Sequence, residues 1–147
     1  ELSCEIIADG IHIDSEIIKF LLTCKSLDKV VLVTDALKPT KQKHGPLLAN
    51  GEEVYLDKCF YRKSDNVIAG SALTMIDSVK NIVSYGFRLE EAIHMASTNP
   101  ARIMRQDNLG VIAPGYDADL VMLSDKLKVK YTIIKGKIYE KGKLVCA

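Results

Sequence analysis

The amino-acid sequence predicts an α/β protein in two parts, a parallel βαβ unit followed by an antiparallel all-β segment. Three observations predict it. Residues 6–8 (Ile-Ile-Ala) and 30–34 (Val-Val-Leu-Val-Thr) are short apolar runs without polar alternation, as suits a parallel sheet buried on both faces. Between them, residues 15–24 carry apolar side chains at 17, 18, 21 and 22, the stripe of an amphipathic helix. After Asn108 the helical spacing gives way to short β-rich runs parted by turn residues, with no helix between them, which argues for an antiparallel unit.

Composition narrows the class. At 147 residues with 48% hydrophobic content, the chain can bury a core. A formal net charge of +1 gives no electrostatic footprint for nucleic acid or an acidic membrane surface. No apolar run approaches the ~20 residues of a membrane span. Glu1-Leu2-Ser3-Cys4 runs straight into a strand without an initiator Met or a signal-peptide pattern, and the chain is expected to be a fragment of a longer one. The cysteines at 4, 24, 59 and 146 show no CxxC pair or zinc-finger spacing and are expected to be small buried hydrophobes in a reducing cytosol.

Taken in order, Ser15 is placed to cap the first helix, and the crossover to the second strand should be right-handed. Residues 38–51 turn polar, with Pro39, Gly45, Pro46 and Asn50-Gly51, and are read as a loop, a candidate lid. Lys38, Lys41 and Lys43 make this loop basic, either to attract an anionic substrate or simply as solvated charge; nothing marks His44 as a ligand. Residues 53–62 read as a β-hairpin turning at Asp57-Lys58. Residues 67–71 bring the chain back to the core, where Gly70 permits close backbone approach and Ser71 can cap a helix over 72–85 that ends at Gly86. A helix over 89–97 should stop at Thr98-Asn99-Pro100, with Pro100 opening a short helix through Met104; His94 within it is read as structural or surface. Strands follow at 110–112, 118–123, 129–135, 137–140 and 143–146, with Pro114-Gly115, Gly136 and Gly142 as turns.

The chemistry gathers at the two strand ends. His12 and Asp35 each follow the apolar run of their own strand. If those strands are neighbours, they lie about 5 Å apart, and both residues emerge at the carboxyl-end face where α/β proteins build active sites. A histidine and a carboxylate placed so are partners for proton transfer and substrate polarisation. The alternative, in which Asp35 caps the next segment and His12 bonds to a loop, stays open.

Several motifs carry a resemblance over essentially the whole chain. Ile-Ala-Asp-Gly-Ile-His at 7–12, Leu-Val-Thr-Asp-Ala at 32–36 and Ala-Gly-Ser-Ala-Leu-Thr-Met at 69–75 resemble the N-acetylglucosamine-6-phosphate deacetylase family in order and spacing. Ser-Thr-Asn-Pro-Ala-Arg at 97–102 and Leu-Gly-Val-Ile-Ala-Pro-Gly-Tyr-Asp-Ala-Asp-Leu-Val at 109–121 fit as well, although both are shared across the amidohydrolase superfamily. The resemblance implies the C-terminal part of a (β/α)8 TIM-type barrel. Residues 1–108 would hold its last two βα units, and 109–147 the C-terminal strands of a small β-sandwich domain.

The resemblance also implies hydrolysis of the N-acetyl group of N-acetylglucosamine 6-phosphate to glucosamine 6-phosphate and acetate, in amino-sugar catabolism in the cytoplasm. By position, Asp35 would be the catalytic acid/base. His12 would orient the substrate and polarise its carbonyl, and Asp9, Gly10 and Ile11, with Ile68, Ala69 and Gly70, would line the sugar site. A divalent metal, zinc or iron, would serve the full-length enzyme, its glutamate and histidine ligands lying before residue 1, and none is expected to bind this chain. Two departures stand out: the missing ligands, and a loop after Asp35 more basic than the family's. Two strands of eight cannot close a barrel, so the fragment is expected to be inactive, whereas the full-length protein, a homo-oligomer, would be the enzyme. The competing readings are another amidohydrolase, a cyclic amidohydrolase or deaminase, and a non-catalytic α/β module that binds a sugar phosphate or a partner.

Overall fold

β1 (Cys4–Ile7) and β2 (Val30–Val33) pair in parallel, Cys4 opposite Val30 and Ile7 opposite Val33. The computed structural model describes residues 2–42 and 44–146; Lys43 of the basic loop and Glu1 lie outside the described residues. Between the strands, α1 (Ser15–Cys24) presents Ile18 and Leu22 to the sheet. Ile17 belongs to the predicted stripe but is exposed with Phe20, because its side chain lies about 100° around the helix from Ile18. The cap is Asp14, not Ser15. The Asp14 carboxylate accepts from the Glu16 amide at 2.8 Å, and its negative charge suits the helix N-terminus better than a hydroxyl does.

The stretch read as a loop after β2 contains a strand. β3 (Leu48–Ala49), β4 (Glu52–Leu56), β5 (Phe60–Arg62) and β6 (Ile68–Gly70) form an antiparallel sheet in that order. Asn50 and Gly51, both at positive φ, make the tight turn that closes the first hairpin. The chain therefore returns toward the core as an edge strand, and just past β6 Ser71 forms a parallel bridge to Ala36.

α2 (Met75–Ser84) starts three residues later than expected, after Thr74, and Ser71 is not its cap. The predicted break at Thr98-Asn99-Pro100 is absent. α3 (Leu89–Ile93), a π turn (His94–Thr98) and α4 (Asn99–Ile103) run on as one helix. The wider turn before Pro100 accommodates its ring and missing N–H, which would clash in a regular helix interior.

The last four strands, β7 (Leu120–Leu123), β8 (Val129–Ile134), β9 (Lys137–Glu140) and β10 (Lys143–Cys146), form an antiparallel meander, as the turn spacing predicts. Residues 110–112 are not a strand; the Gly110 carbonyl is held by the Thr98 hydroxyl at 2.8 Å, which ties this stretch to the helix instead.

The core sits between the parallel pair and the helices: Ile6, Val30 and Leu32 pack with Ile18, Leu22, Val79, Ile82 and Met95. Asn99, buried within it, donates from Nδ2 to the carbonyls of Leu27 and Val30, each at 2.8 Å, and pins the helix to the start of β2. Cys59 is buried as expected and Cys4 half-buried, but Cys24 and Cys146 are exposed: Cys24 lies about 200° around α1 from the buried Leu22, and β10 is exposed along its whole length. β1 and β2 have no third strand among the described residues. A cleft of about 580 Å³ runs along them, lined by Glu5, Val31, Val33, Met75, Pro100 and Ile103 among others. Among the described residues, no helix is long and apolar enough to cross a membrane.

Candidate active site

The parallel pairing of β1 and β2 settles the geometry left open by the sequence: His12 and Asp35 leave adjacent strands at the same end. After Ala8 the chain turns sharply through Asp9-Gly10-Ile11-His12. The Asp9 carboxylate closes the turn, Oδ1 accepting from the amides of Ile11 at 2.9 Å and His12 at 3.0 Å. Gly10 adopts φ +71°, and a side chain there would come within 3.2 Å of the Tyr85 hydroxyl, so glycine suits both the conformation and the space. The other Asp9 oxygen, Oδ2, lies 2.7 Å from His12 Nδ1. Across the strand ends, His12 Nε2 lies 3.8 Å from Asp35 Oδ2, in electrostatic contact but too far for a direct hydrogen bond.

The two carboxylates differ in environment. The Asp9 side chain is 6% exposed and that of Asp35 is 48% exposed, with His12 between them at 17%. Burial alone would raise the Asp9 carboxyl, but the amides of Ile11 and His12 and the His12 ring outweigh it and hold Asp9 below the ordinary carboxylate range. Asp9 is therefore ionised and acceptor-only, so His12 Nδ1 must carry the proton it donates. In the neutral ring, Nε2 then presents its lone pair toward Asp35 and solvent. The carboxylate of Asp9 is spent on the turn and the ring, which makes it an orienting group beneath His12; Gly10 and Ile11 sit in the turn between them.

The second group of candidates divides. Gly70 lies against Asp35: a Cβ at Gly70 would approach the Asp35 carbonyl to 2.9 Å and the Leu37 side chain to 2.7 Å. Ile68 and Ala69 face a separate cleft of about 240 Å³ with Val54 and Arg62. His44 and His94 are exposed and neither joins the Asp9–His12–Asp35 row. Among the described residues, no three His, Cys, Asp or Glu side chains converge as a metal site, so those side chains do not fit a metal by themselves. Sequence reading missed Ser71 as part of the site's frame; its place after a glycine and before a helix reads as a cap, and only the contact with residues 34–37 shows otherwise.

A mixed α/β chain with a histidine and a carboxylate at the carboxyl ends of adjacent parallel strands has the layout on which α/β proteins build active sites. The amidohydrolase family profile matches residues 2–139, and the chain belongs to that family. Within it the resemblance is to the N-acetylglucosamine-6-phosphate deacetylases, with the chain corresponding to part of their length. It is 31% identical over 138 residues to the N-acetylglucosamine-6-phosphate deacetylase of Lysinibacillus sphaericus, covering 93% of this chain and 36% of that protein. It is 36% identical over 136 residues to a putative N-acetylgalactosamine-6-phosphate deacetylase of Escherichia coli K12, covering 91% of this chain and 81% of that shorter protein. Among solved structures, the N-acetylglucosamine-6-phosphate deacetylase of Pasteurella multocida superposes with a TM-score of 0.86 at 31% identity, over 95% of this chain and 37% of the other.

Proposed function

We propose that this chain carries the acid–base half of an N-acetylhexosamine-6-phosphate deacetylase, acting on N-acetylglucosamine 6-phosphate as the first candidate substrate. The observation that carries the reading is the row Asp9–His12–Asp35 across two adjacent parallel strand ends. Asp35, half exposed at the mouth of the row, takes a proton from the water that attacks the amide carbonyl carbon. It then returns that proton to the nitrogen as the carbon–nitrogen bond breaks, releasing acetate and the free amine. His12, held at Nδ1 by Asp9, donates from Nε2 to the substrate carbonyl when both ring nitrogens carry a proton, which orients the amide and polarises its carbonyl. Gly10 and Gly70 keep the backbone low around the sugar.

β1 and β2, in this reading, are the last two strands of a (β/α)8 barrel. The division falls at residues 1–108 and 109–147, and the meander β7–β10 is one share of a small sandwich. The open cleft along β2 and the incomplete ligand set support a further point: the 147 residues alone do not deacetylate, and a metal would take its ligands from outside this chain. The complete protein is then a cytoplasmic homo-oligomer. The alternative substrate is the galactosamine epimer, favoured by the 36% identity to the E. coli protein.

The test is deacetylation of both phosphosugars by the complete protein that contains this chain, and by its Asp35→Asn variant, with metal content measured on each. Turnover of either substrate, lowered roughly 10²- to 10⁴-fold in the variant without loss of metal, is expected. A metal-loaded parent that leaves both phosphosugars intact and hydrolyses a ring amide instead would transfer the chain to a different amidohydrolase activity.

A further inference from the structure

We propose that Ser71 is a positioning residue for the Asp35 carboxylate, an inference that rests on reading Asp35 as the acid/base. Ser71 is fully buried, and a buried hydroxyl requires partners. It is not a helix cap, since α2 begins after Thr74. Its hydroxyl donates to the Thr34 carbonyl and accepts from the Leu73 amide at 2.9 Å. Its amide donates to the Asp35 carbonyl at 2.8 Å, and its carbonyl accepts from the Leu37 amide at 3.1 Å. One residue thus grips the backbone on both sides of Asp35.

The grip matters because of how Asp35 is held. Asp35 has a left-handed backbone, φ +49°, less favourable for a residue with a Cβ than for glycine. Among the described residues its carboxylate makes no hydrogen bond, so its position relative to His12 follows from the backbone and one short side chain. The Ser71 bonds to Thr34, Asp35 and Leu37 select that backbone. Gly70, without a Cβ, lets the two segments approach closely enough for these bonds to form.

The experiment compares Ser71→Ala and Ser71→Cys with the parent, in the complete protein, by kcat, KM, metal content and crystal structure. The alanine loses the hydroxyl; the cysteine stays close in shape with only a weak donor and serves if the alanine variant does not fold. Expected is a roughly 10- to 100-fold fall in kcat per folded, metal-loaded molecule, with KM changed by less than about twofold. A kcat within about twofold of the parent, with only the folded fraction reduced, overturns the proposal. The crystal structure is read independently of turnover: displacement of the Asp35 carboxylate by more than about 0.5 Å supports it, and an unmoved carboxylate refutes it. If the parent turns over neither phosphosugar, the functional reading fails, while the structural arm still decides whether Ser71 places Asp35.

Discussion

Replacing Asp9 with asparagine probes the row from its buried end. In the parent, one carboxylate accepts three hydrogen bonds, at 2.9, 3.0 and 2.7 Å, two from amides and one from the His12 ring. Asparagine can keep its oxygen on the two amides, now as neutral bonds, but turns an NH2 group toward His12 Nδ1. The ring must then accept at Nδ1 and carry its proton on Nε2, so it offers the substrate only a neutral donor where the doubly protonated parent ring offers a charged one. Bonds to a charged group are worth about 1 kcal/mol more than neutral ones, so the variant should lose roughly 2–3 kcal/mol of stability. Activity should fall on the order of 10²-fold because His12 then polarises the carbonyl as a neutral donor and not as an imidazolium.

The pH dependence has a defined sign. The Asp9 carboxyl is held below its ordinary value of 3.8 in the folded chain, so its contribution is complete above that value and is lost as pH falls through the lower folded value. The parent should lose stability there, and the asparagine variant should lack that part of the acid dependence. Histidine nitrogen NMR on the complete protein reads the tautomer directly, and urea unfolding at several pH values reads the stability. A variant whose ring keeps its proton on Nδ1, or whose kcat equals the parent's, would refute the reasoning.

Further outcomes are expected. Asn99→Ala leaves the carbonyls of Leu27 and Val30 without their donor and should cost about 2–5 kcal/mol in urea unfolding; a loss under about 1 kcal/mol would mean that water replaces the amide. Gly70→Ala forces a Cβ to within 2.9 Å of the Asp35 carbonyl, a backbone atom that cannot swing aside, and kcat should fall at least tenfold, in contrast to an alanine at Gly142, which meets nothing within 4 Å. Ile82→Ala, at the centre of the core, should cost about 2–5 kcal/mol through the cavity it leaves, measured by the shift in unfolding midpoint.

The sequence by itself determined the parts that rest on local patterns. The unalternated runs at β1 and β2, the α1 stripe at Ile18 and Leu22, and the glycine-parted runs at Gly136 and Gly142 declare strand, helix and meander because burial imposes a period on neighbouring residues. It also placed His12 and Asp35 just past their strands. Other features were decided by contacts distant in the chain. The pairing of β1 with β2 brings His12 to Asp35. Ser71, which looks like a helix cap locally, is claimed by Thr34 and Asp35, 37 and 36 positions earlier. The helix through Pro100 continues because a π turn makes room and Asn99 is anchored to Leu27 and Val30. Local sequence records which conformations a segment favours; which partner satisfies a buried donor or acceptor is known only once the chain has folded around it.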